Sequence, residues 1–170
     1  KPGDILLLTY SGHGGQVPDT NGDEDDGTDE TWCLYDGQLI DDELYSLFGK
    51  FEKGVRIFVL SDSCHSGTVT RAAYLASSAG AEVRYRFMPP EVALRVYRGN
   101  QAFYDRIAAS AQDARDQGGV AASIILISGC QDNQVSQDGT FNGLFTGQLL
   151  KIWNGGQFKK GYRKFHAAIL

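Results

Sequence analysis

The sequence predicts an α/β sandwich with a mainly parallel sheet. Three short runs consist almost entirely of apolar residues, many of them β-branched, and segments of helical periodicity lie between and after them. Continuous apolar runs, rather than alternating ones, are typical of strands that helices cover on both faces. With 170 residues, 42% of them hydrophobic, the chain has the length and composition of one domain with its own core.

The predicted strands are Ile5–Tyr10, Val55–Leu60 and Ser123–Ser128. A helix is predicted over Asp41–Phe51, because its apolar residues recur at i, i+3, i+4 and i+7 and its acidic residues stand at the N-terminal end, where the helix dipole is positive. Further helices are predicted over Gln101–Asp116, Leu144–Trp153 and Tyr162–Leu170. Strands that alternate with helices in this way predict parallel pairing through crossover connections.

Two stretches are predicted to be irregular. Gly12–Tyr35 is expected to be a long polar loop, and Thr68–Asn100 a mixed segment centred on Met88-Pro89-Pro90. Loops of this length in a compact domain are usually functional or flexible. The sequence contains no internal repeat and no linker, so we expect a single domain over residues 1–170.

Charge is distributed unevenly along the chain. Residues 2–49 contain twelve Asp and Glu but no Lys or Arg, whereas the net charge of the whole chain is only −5. An acidic half favours metal ions or cationic ligands and argues against nucleic acid as a partner. No apolar run is long enough to span a membrane. The chain begins with Lys immediately before a strand, so we interpret it as part of a longer protein.

The segments that follow the predicted strands carry reactive side chains. His13 lies in Ser11-Gly12-His13-Gly14-Gly15 after the first strand, and Cys64 follows the second strand 51 residues later. Ligands bind beyond the carboxyl ends of parallel strands, so His13 and Cys64 are expected side by side if the first two strands are neighbours. A thiol is only slightly ionised at neutral pH, and a neighbouring His is a suitable base for it. The amides of Gly14 and Cys64 are the predicted oxyanion hole.

Three cysteines, widely spaced and without a C-x-x-C pair, argue against a disulfide scaffold. Cys33 and Cys130 are therefore predicted to be packed, reduced thiols.

Four motifs together give a family resemblance. These motifs are YSGHGGQ, DGTDETWCLYDG, LIDDEL and VLSDSCHSGT. They resemble motifs of the caspase-like cysteine peptidases, in particular metacaspases and bacterial orthocaspases. The similarity continues through LISGCQDNQ and FNGLFTGQLLKIW, and so covers most of the chain. It implies a caspase-like three-layer α/β sandwich whose N-terminal strands are missing here. It also implies an endopeptidase in which His13 is the base and Cys64 the nucleophile of a thioester acyl-enzyme.

Substrate preference is predicted from an acidic residue near the nucleophile. Asp62 lies two residues before Cys64, so on a strand it points to the same side and can pair with Arg or Lys of a substrate. The resemblance likewise implies cleavage after Arg or Lys, with Ser11 and Asp62 lining the pocket, and Asp132 is a candidate for its border. An alternative role for Asp62 is that of a capping carboxylate. Other P1 specificities, or an inactive scaffold that binds calcium, are the alternative functions.

Calcium activation is a further expectation of the resemblance. Asp29, Asp41 and Asp42 match positions that resemble the calcium ligands of calcium-activated metacaspases. The fourth family aspartate falls near Arg71, and a cation at that position would weaken the site or replace the charge of the ion. Calcium is therefore left open, and no cofactor is predicted to be indispensable.

Arginines predominate in the middle of the chain, which has no Lys from 54 to 150. An Arg-specific peptidase could cleave itself there. This hypothesis divides the chain into a larger part that bears His13 and Cys64 (1–67), an Arg-rich intersubunit-like segment (68–118) and a smaller part (119–170). The expected partners are proteins or peptides with exposed Arg or Lys. We expect a cytoplasmic monomer that binds neither nucleic acid nor membrane.

Overall fold

The computed structural model describes residues 1–63, 87–129 and 144–169. In chain order the elements are β1 (Ile5–Ser11), β2 (Gly14–Pro18), β3 (Thr28–Cys33), β4 (Gln38–Ile40), α1 (Asp41–Phe48), β5 (Arg56–Asp62), α2 (Pro90–Gly99), α3 (Gln101–Asp116), β6 (Ser123–Ser128), α4 (Leu144–Trp153) and α5 (Tyr162–Ile169). A 3₁₀ turn, Asn154–Gly156, follows α4.

The three predicted strands form one parallel sheet in the order β1-β5-β6. Side chains of the central strand alternate between its two faces. Ile57 and Val59 pack with Phe48 of α1 in one cluster, while Phe58 and Leu60 pack against the cluster formed by β6, α4 and α5. Helices on both sides of β5 confirm the α/β class.

The predicted loop over Gly12–Tyr35 is wrong. Strands β2 and β3 form an antiparallel ladder within it, and β4 extends this ladder into a second small sheet. The glycines and carboxylates of this segment have low strand propensity, but Val17 is 2% exposed and Thr31 is 1% exposed once the strands pair. Packing against the rest of the molecule, and not local propensity, makes these residues strands.

The Thr68–Asn100 segment also contains an element that its composition did not indicate. Helix α2 begins at Pro90, a first helical position at which the missing N–H of proline costs nothing. Its buried Tyr97 packs with Val17 and Ile40 of the small sheet. Residues 68–86 of the segment lie outside the described residues. Helix α1 ends at Phe48, three residues earlier than predicted, because a turn follows at Gly49 and Lys50.

Cover on both faces is observed for β5 but not for the outer strands. Within the described residues, Ile5 and Leu7 of β1 are 63% and 59% exposed, and Leu126 of β6 is 60% exposed. Leu6 and Leu8, on the other face of β1, pack against the β5–α1 cluster, so within the described residues only one face of this strand is covered. None of the helices in these residue ranges has the length and apolar character needed to cross a membrane.

Candidate active site

Strands β1 and β5 are adjacent, as predicted, and their register aligns the two candidate loops. Ser11 pairs with Asp62 across the ladder, and the N–H of Gly12 donates to the Asp62 carbonyl at 3.2 Å. His13, which is exposed, follows two residues after Ser11. Cys64 follows two residues after Asp62 and lies outside the described residues. The His13–Cys64 dyad therefore remains a prediction.

The backbone at His13 is held by hydrogen bonds from two sides. Its carbonyl accepts from the N–H of Cys33 at 2.9 Å and lies 2.8 Å from the hydroxyl of Tyr10. The Tyr10 ring stacks on Trp32 with a centroid distance of 4.6 Å. A Cβ at Gly12 would stand 2.5 Å from the Tyr10 hydroxyl, so this position is restricted to glycine. Sequence analysis recognised the glycines of this loop but not the aromatic pair that holds it.

A second set of hydrogen bonds fixes the end of β5. The indole Nε1–H of Trp32 donates to Ser61 Oγ at 3.1 Å, and the hydroxyl oxygens of Ser61 and Ser63 are 2.9 Å apart. Ser63 is completely buried. The residue directly before the predicted nucleophile is thus part of a buried hydroxyl chain. Two serines spaced by two on one side of a strand were the sequence signal for it.

Asp62 is buried and bonded to a helix that is distant in sequence. It is 2% exposed, and its Oδ2 accepts a hydrogen bond from Thr146 Oγ1 at 2.5 Å and one from Thr146 N–H at 3.2 Å. Thr146 lies in the first turn of α4. As an acceptor for the first turn of α4, Asp62 fits the alternative role of a capping carboxylate, and its role in a substrate pocket stays a prediction. Sequence analysis did not identify Thr146.

Gly14, the predicted oxyanion donor beside His13, is buried in β2. It bridges to Phe87, and its carbonyl accepts from the N–H of Met88 at 2.6 Å. The segment that enters α2 is thus fastened next to the His13 loop. Cys64, its predicted partner in the oxyanion hole, and the pocket candidate Asp132 lie outside the described residues, as does Cys130.

Cys33 is a half-buried thiol on β3. Burial raises the pKa of the Cys33 thiol to about 11, so it is protonated at neutral pH. This agrees with the prediction of a packed, reduced thiol at Cys33.

The predicted calcium ligands lie within an acidic cluster, defined here as Asp19, Asp23, Glu24, Asp29, Glu30, Asp41 and Asp42. In the structure the three predicted ligands do not share one site, because each lies beside different partners. Asp29 lies with Asp19 and Asp23, and Asp41 lies with Glu24 and Glu30, each set having one ligand atom per residue within 4.8 Å of the others. Asp42 instead binds Asn21 and Arg115.

Crowding of carboxylates changes the protonation of this cluster. Burial, together with the charges of Asp41 and Asp42, raises the pKa of Asp29 to about 8. Burial and the charge of Asp42 raise the pKa of Asp41 to about 7. Carboxylate oxygens are the donors that calcium prefers, and a divalent cation would relieve this repulsion, so the donor set fits calcium.

Arg115 supplies a positive charge to the acidic cluster from α3. Its guanidinium donates to Asp42 Oδ1 at 2.9 Å, forms an ion pair with Asp23, and lies over the Tyr45 ring with a centroid distance of 4.6 Å. The sequence analysis assigned Arg115 to the cleavable Arg-rich segment and placed the compensating cation at Arg71, which lies outside the described residues. Arg115 lies 73 positions from Asp42, so no local sequence pattern predicts that the two residues form an ion pair.

A mainly parallel sheet with helices on both sides of its central strand is consistent with a caspase-like α/β domain. The chain belongs to the caspase domain family, which matches residues 1–169.

Curated relatives of the chain are metacaspases. Metacaspase-1 of Saccharomyces cerevisiae S288c is 33% identical over 174 residues, which cover 88% of this chain and 40% of that protein. Metacaspase-1 of Schizosaccharomyces pombe is 34% identical and is matched over 41% of its length. Among solved structures, protein GSU0716 from Geobacter sulfurreducens matches 99% of this chain and 61% of its own, with 59% identity and a TM-score of 0.75. The chain thus spans about two fifths of these metacaspases and about three fifths of the solved chain.

Proposed function

We propose that the protein is a cysteine endopeptidase that cleaves after Arg or Lys, with Cys64 as nucleophile and His13 as general base. The observation that carries the proposal is the β1–β5 register. Because Ser11 pairs with Asp62, the loop that bears His13 and the segment that bears Cys64 leave the sheet at the same edge. Membership of the caspase domain family supports the same chemistry.

The proposed reaction has two steps. His13 takes the proton of the Cys64 thiol, and the thiolate attacks the scissile carbonyl to give a tetrahedral oxyanion, which the amides of Gly14 and Cys64 stabilise. The C–N bond breaks, the amine leaves with the proton from His13, and a thioester remains. His13 then takes a proton from water, whose oxygen attacks the thioester and releases the carboxylic acid, and the departing Cys64 thiolate takes the proton back from His13.

Preference for Arg or Lys is inferred from charge. Asp62 ends β5 opposite Ser11, and residues 2–49 contain no Lys or Arg that could bind an acidic P1 side chain. A buried carboxylate gains most from pairing with a cation, because the low dielectric strengthens the interaction. Asp132 is proposed to border the same pocket.

We also propose that calcium binds the acidic cluster. Asp29 with Asp19 and Asp23, or Asp41 with Glu24 and Glu30, would supply the ligands. When bound, the ion would neutralise carboxylates whose burial and mutual repulsion raise the pKa values of Asp29 and Asp41, and it would fix the loop between β2 and β3. Arg115 already neutralises part of the negative charge of the cluster, so calcium would add to the stabilisation that Arg115 provides.

Self-processing is proposed within the Arg-rich segment. Arg95, Arg98 and Arg106 are exposed but lie on α2 and α3, where a peptide bond becomes accessible to a protease only after local unfolding. Arg115 is held by carboxylates. The remaining arginines of the segment are Arg71, Arg84 and Arg86, and we propose cleavage after one of them. Mass spectrometry of fragments from active enzyme and from Cys64→Ala tests this assignment.

The test of the proposed function uses the full-length protein and fluorogenic peptides that end in Arg, Lys or Asp, with and without calcium. Arg and Lys peptides should be cleaved by the wild type and by the matched control Cys33→Ala, and not by Cys64→Ala or His13→Ala. Cleavage of the Asp peptide alone would refute the pocket assignment but keep the dyad. A folded protein that cleaves no peptide, and whose Cys64 resists alkylation, would instead be an inactive scaffold.

A further inference from the structure

We propose that Thr146 is a positioning residue that orients the Asp62 carboxylate for recognition of the substrate's Arg or Lys, an inference that rests on the function proposed above. Two donors of Thr146, its hydroxyl and its backbone N–H, reach the same oxygen of Asp62, Oδ2, at 2.5 and 3.2 Å. Asp62 itself is 2% exposed. Among the described residues, Thr146, which lies 84 positions along the chain, thus holds this buried carboxylate through two donors.

These contacts differ from an ordinary helix cap. The first N–H groups of a helix lack partners within the helix, and a side chain just before the helix usually accepts from them. Here the acceptor comes from the end of β5, two residues before the predicted nucleophile. Capping of α4 and the predicted substrate contact thus share one carboxylate.

Two donors on one oxygen define how that carboxylate can be used. A carboxylate oxygen accepts about two hydrogen bonds, so Thr146 fills the acceptor capacity of Oδ2 and fixes the position of that oxygen. It also fixes the plane of the carboxylate, and the directional N–H groups of Arg are sensitive to that plane. Loss of the hydroxyl would leave the charge of Asp62 in place but remove the shorter of the two hydrogen bonds that orient it.

The start of α4 is rigid enough to act as this support. Phe145, next to Thr146, is 8% exposed and packs with Ile127 of β6 and Phe165 of α5. A Cβ at Gly129 would stand 2.7 Å from the Phe145 side chain, which shows how closely β6 and α4 approach. A supporting group on a packed helix holds its partner more accurately than one on a loop.

The test compares Thr146→Val and Thr146→Ala, which lack the hydroxyl, with Thr146→Ser, which keeps it, in the full-length protein. Thr9→Val, which alters an exposed threonine on β1, is the matched control. Loss of one hydrogen bond to a charged group should lower kcat/KM for Arg and Lys peptides about tenfold. The loss should fall mainly on KM, and Thr146→Ser and Thr9→Val should stay close to wild type. The rate of Cys64 alkylation by iodoacetamide, a small neutral reagent, should be unchanged in every variant.

The outcomes separate this inference from the proposed function. If the wild type does not cleave Arg or Lys peptides, or if Asp62→Asn cleaves them normally, the pocket assignment itself is wrong. If Asp62→Asn is inactive on them but Thr146→Val and Thr146→Ala match the wild type, only the role of Thr146 is refuted. Equal losses in Thr146→Ser and Thr146→Val, a parallel fall in iodoacetamide reactivity, or unfolding of both hydroxyl-free variants would assign Thr146 a purely structural role and overturn the inference.

Discussion

Replacement of Arg115 by Met should destabilise the domain by about 2 kcal/mol, and the contacts of Arg115 give this magnitude. Removing one partner of a buried ion pair costs about 3–5 kcal/mol, because the other charge stays buried without compensation. Asp42 is such a charge, with a side chain that is 2% exposed, but the Arg115 side chain is 25% exposed, so water already screens the pair in part. Nη1 of Arg115 is also buried without an acceptor among the described residues, and its removal relieves about 1 kcal/mol of desolvation.

Urea unfolding at pH 7 without calcium measures this loss, and a double-mutant cycle assigns it to the pair. In an Asp42→Asn background the same Arg115→Met change should cost much less, since no buried charge is left behind. Arg106→Met, an exposed position on the same helix, is the control and should change stability little. A loss below about 0.5 kcal/mol, within the range of ordinary surface substitutions, or an equal loss in both backgrounds would refute the reasoning.

Three further predictions concern the rest of the described chain. The pKa of Asp29 is about 8 in the folded state and about 4 in the unfolded state, so between these pH values only the folded state keeps the proton, and stability falls as pH rises through that window. Asp29→Asn should remove much of this fall in urea titrations without calcium, and an unchanged pH profile would contradict the prediction. Gly12→Ala places a Cβ 2.5 Å from the Tyr10 hydroxyl, so the free energy of unfolding should fall by about 1–3 kcal/mol and peptide cleavage should decrease. Wild-type values for both would disprove the steric argument. Tyr104→Phe leaves the buried Gln38 N–H without the acceptor that it has at 3.0 Å, with an expected cost of about 1–3 kcal/mol by thermal or chemical unfolding; a neutral result would mean that the amide finds another partner.

The elements that the sequence predicted well are those whose pattern is set by burial. The apolar runs of β1, β5 and β6 and the periodic helices α3, α4 and α5 were placed within one or two residues of their observed bounds. The β2–β3 ladder was missed because glycine and carboxylates carry little strand signal, and their burial, as in Gly14 and Asp29, arises only when the strands pair and pack. Helix α2 was missed because the segment around Met88-Pro89-Pro90 was predicted to be mixed and irregular, whereas Pro90 is a first helical residue.

The candidate site divides in the same way between local and distant information. Its local components, the His13 loop and Asp62 at a strand end, followed from position relative to predicted strands. Contacts across the fold did not, because Thr146 reaches Asp62 over 84 residues and Arg115 reaches Asp42 over 73. No periodicity or spacing links residues at such separations, so only the folded arrangement shows which donor serves which carboxylate.

The buried indole of Trp32 can serve as an intrinsic fluorescence probe of the candidate site. The chain has two tryptophans, and Trp153 is 49% exposed whereas Trp32 is 7% exposed. In Trp153→Phe the fluorescence would come from an indole that stacks on Tyr10 and donates to Ser61, and so touches both the support of the His13 loop and the end of β5. Acylation of Cys64 by a peptide inhibitor, if it displaces either segment, would then change the emission of Trp32 in real time, without any added label.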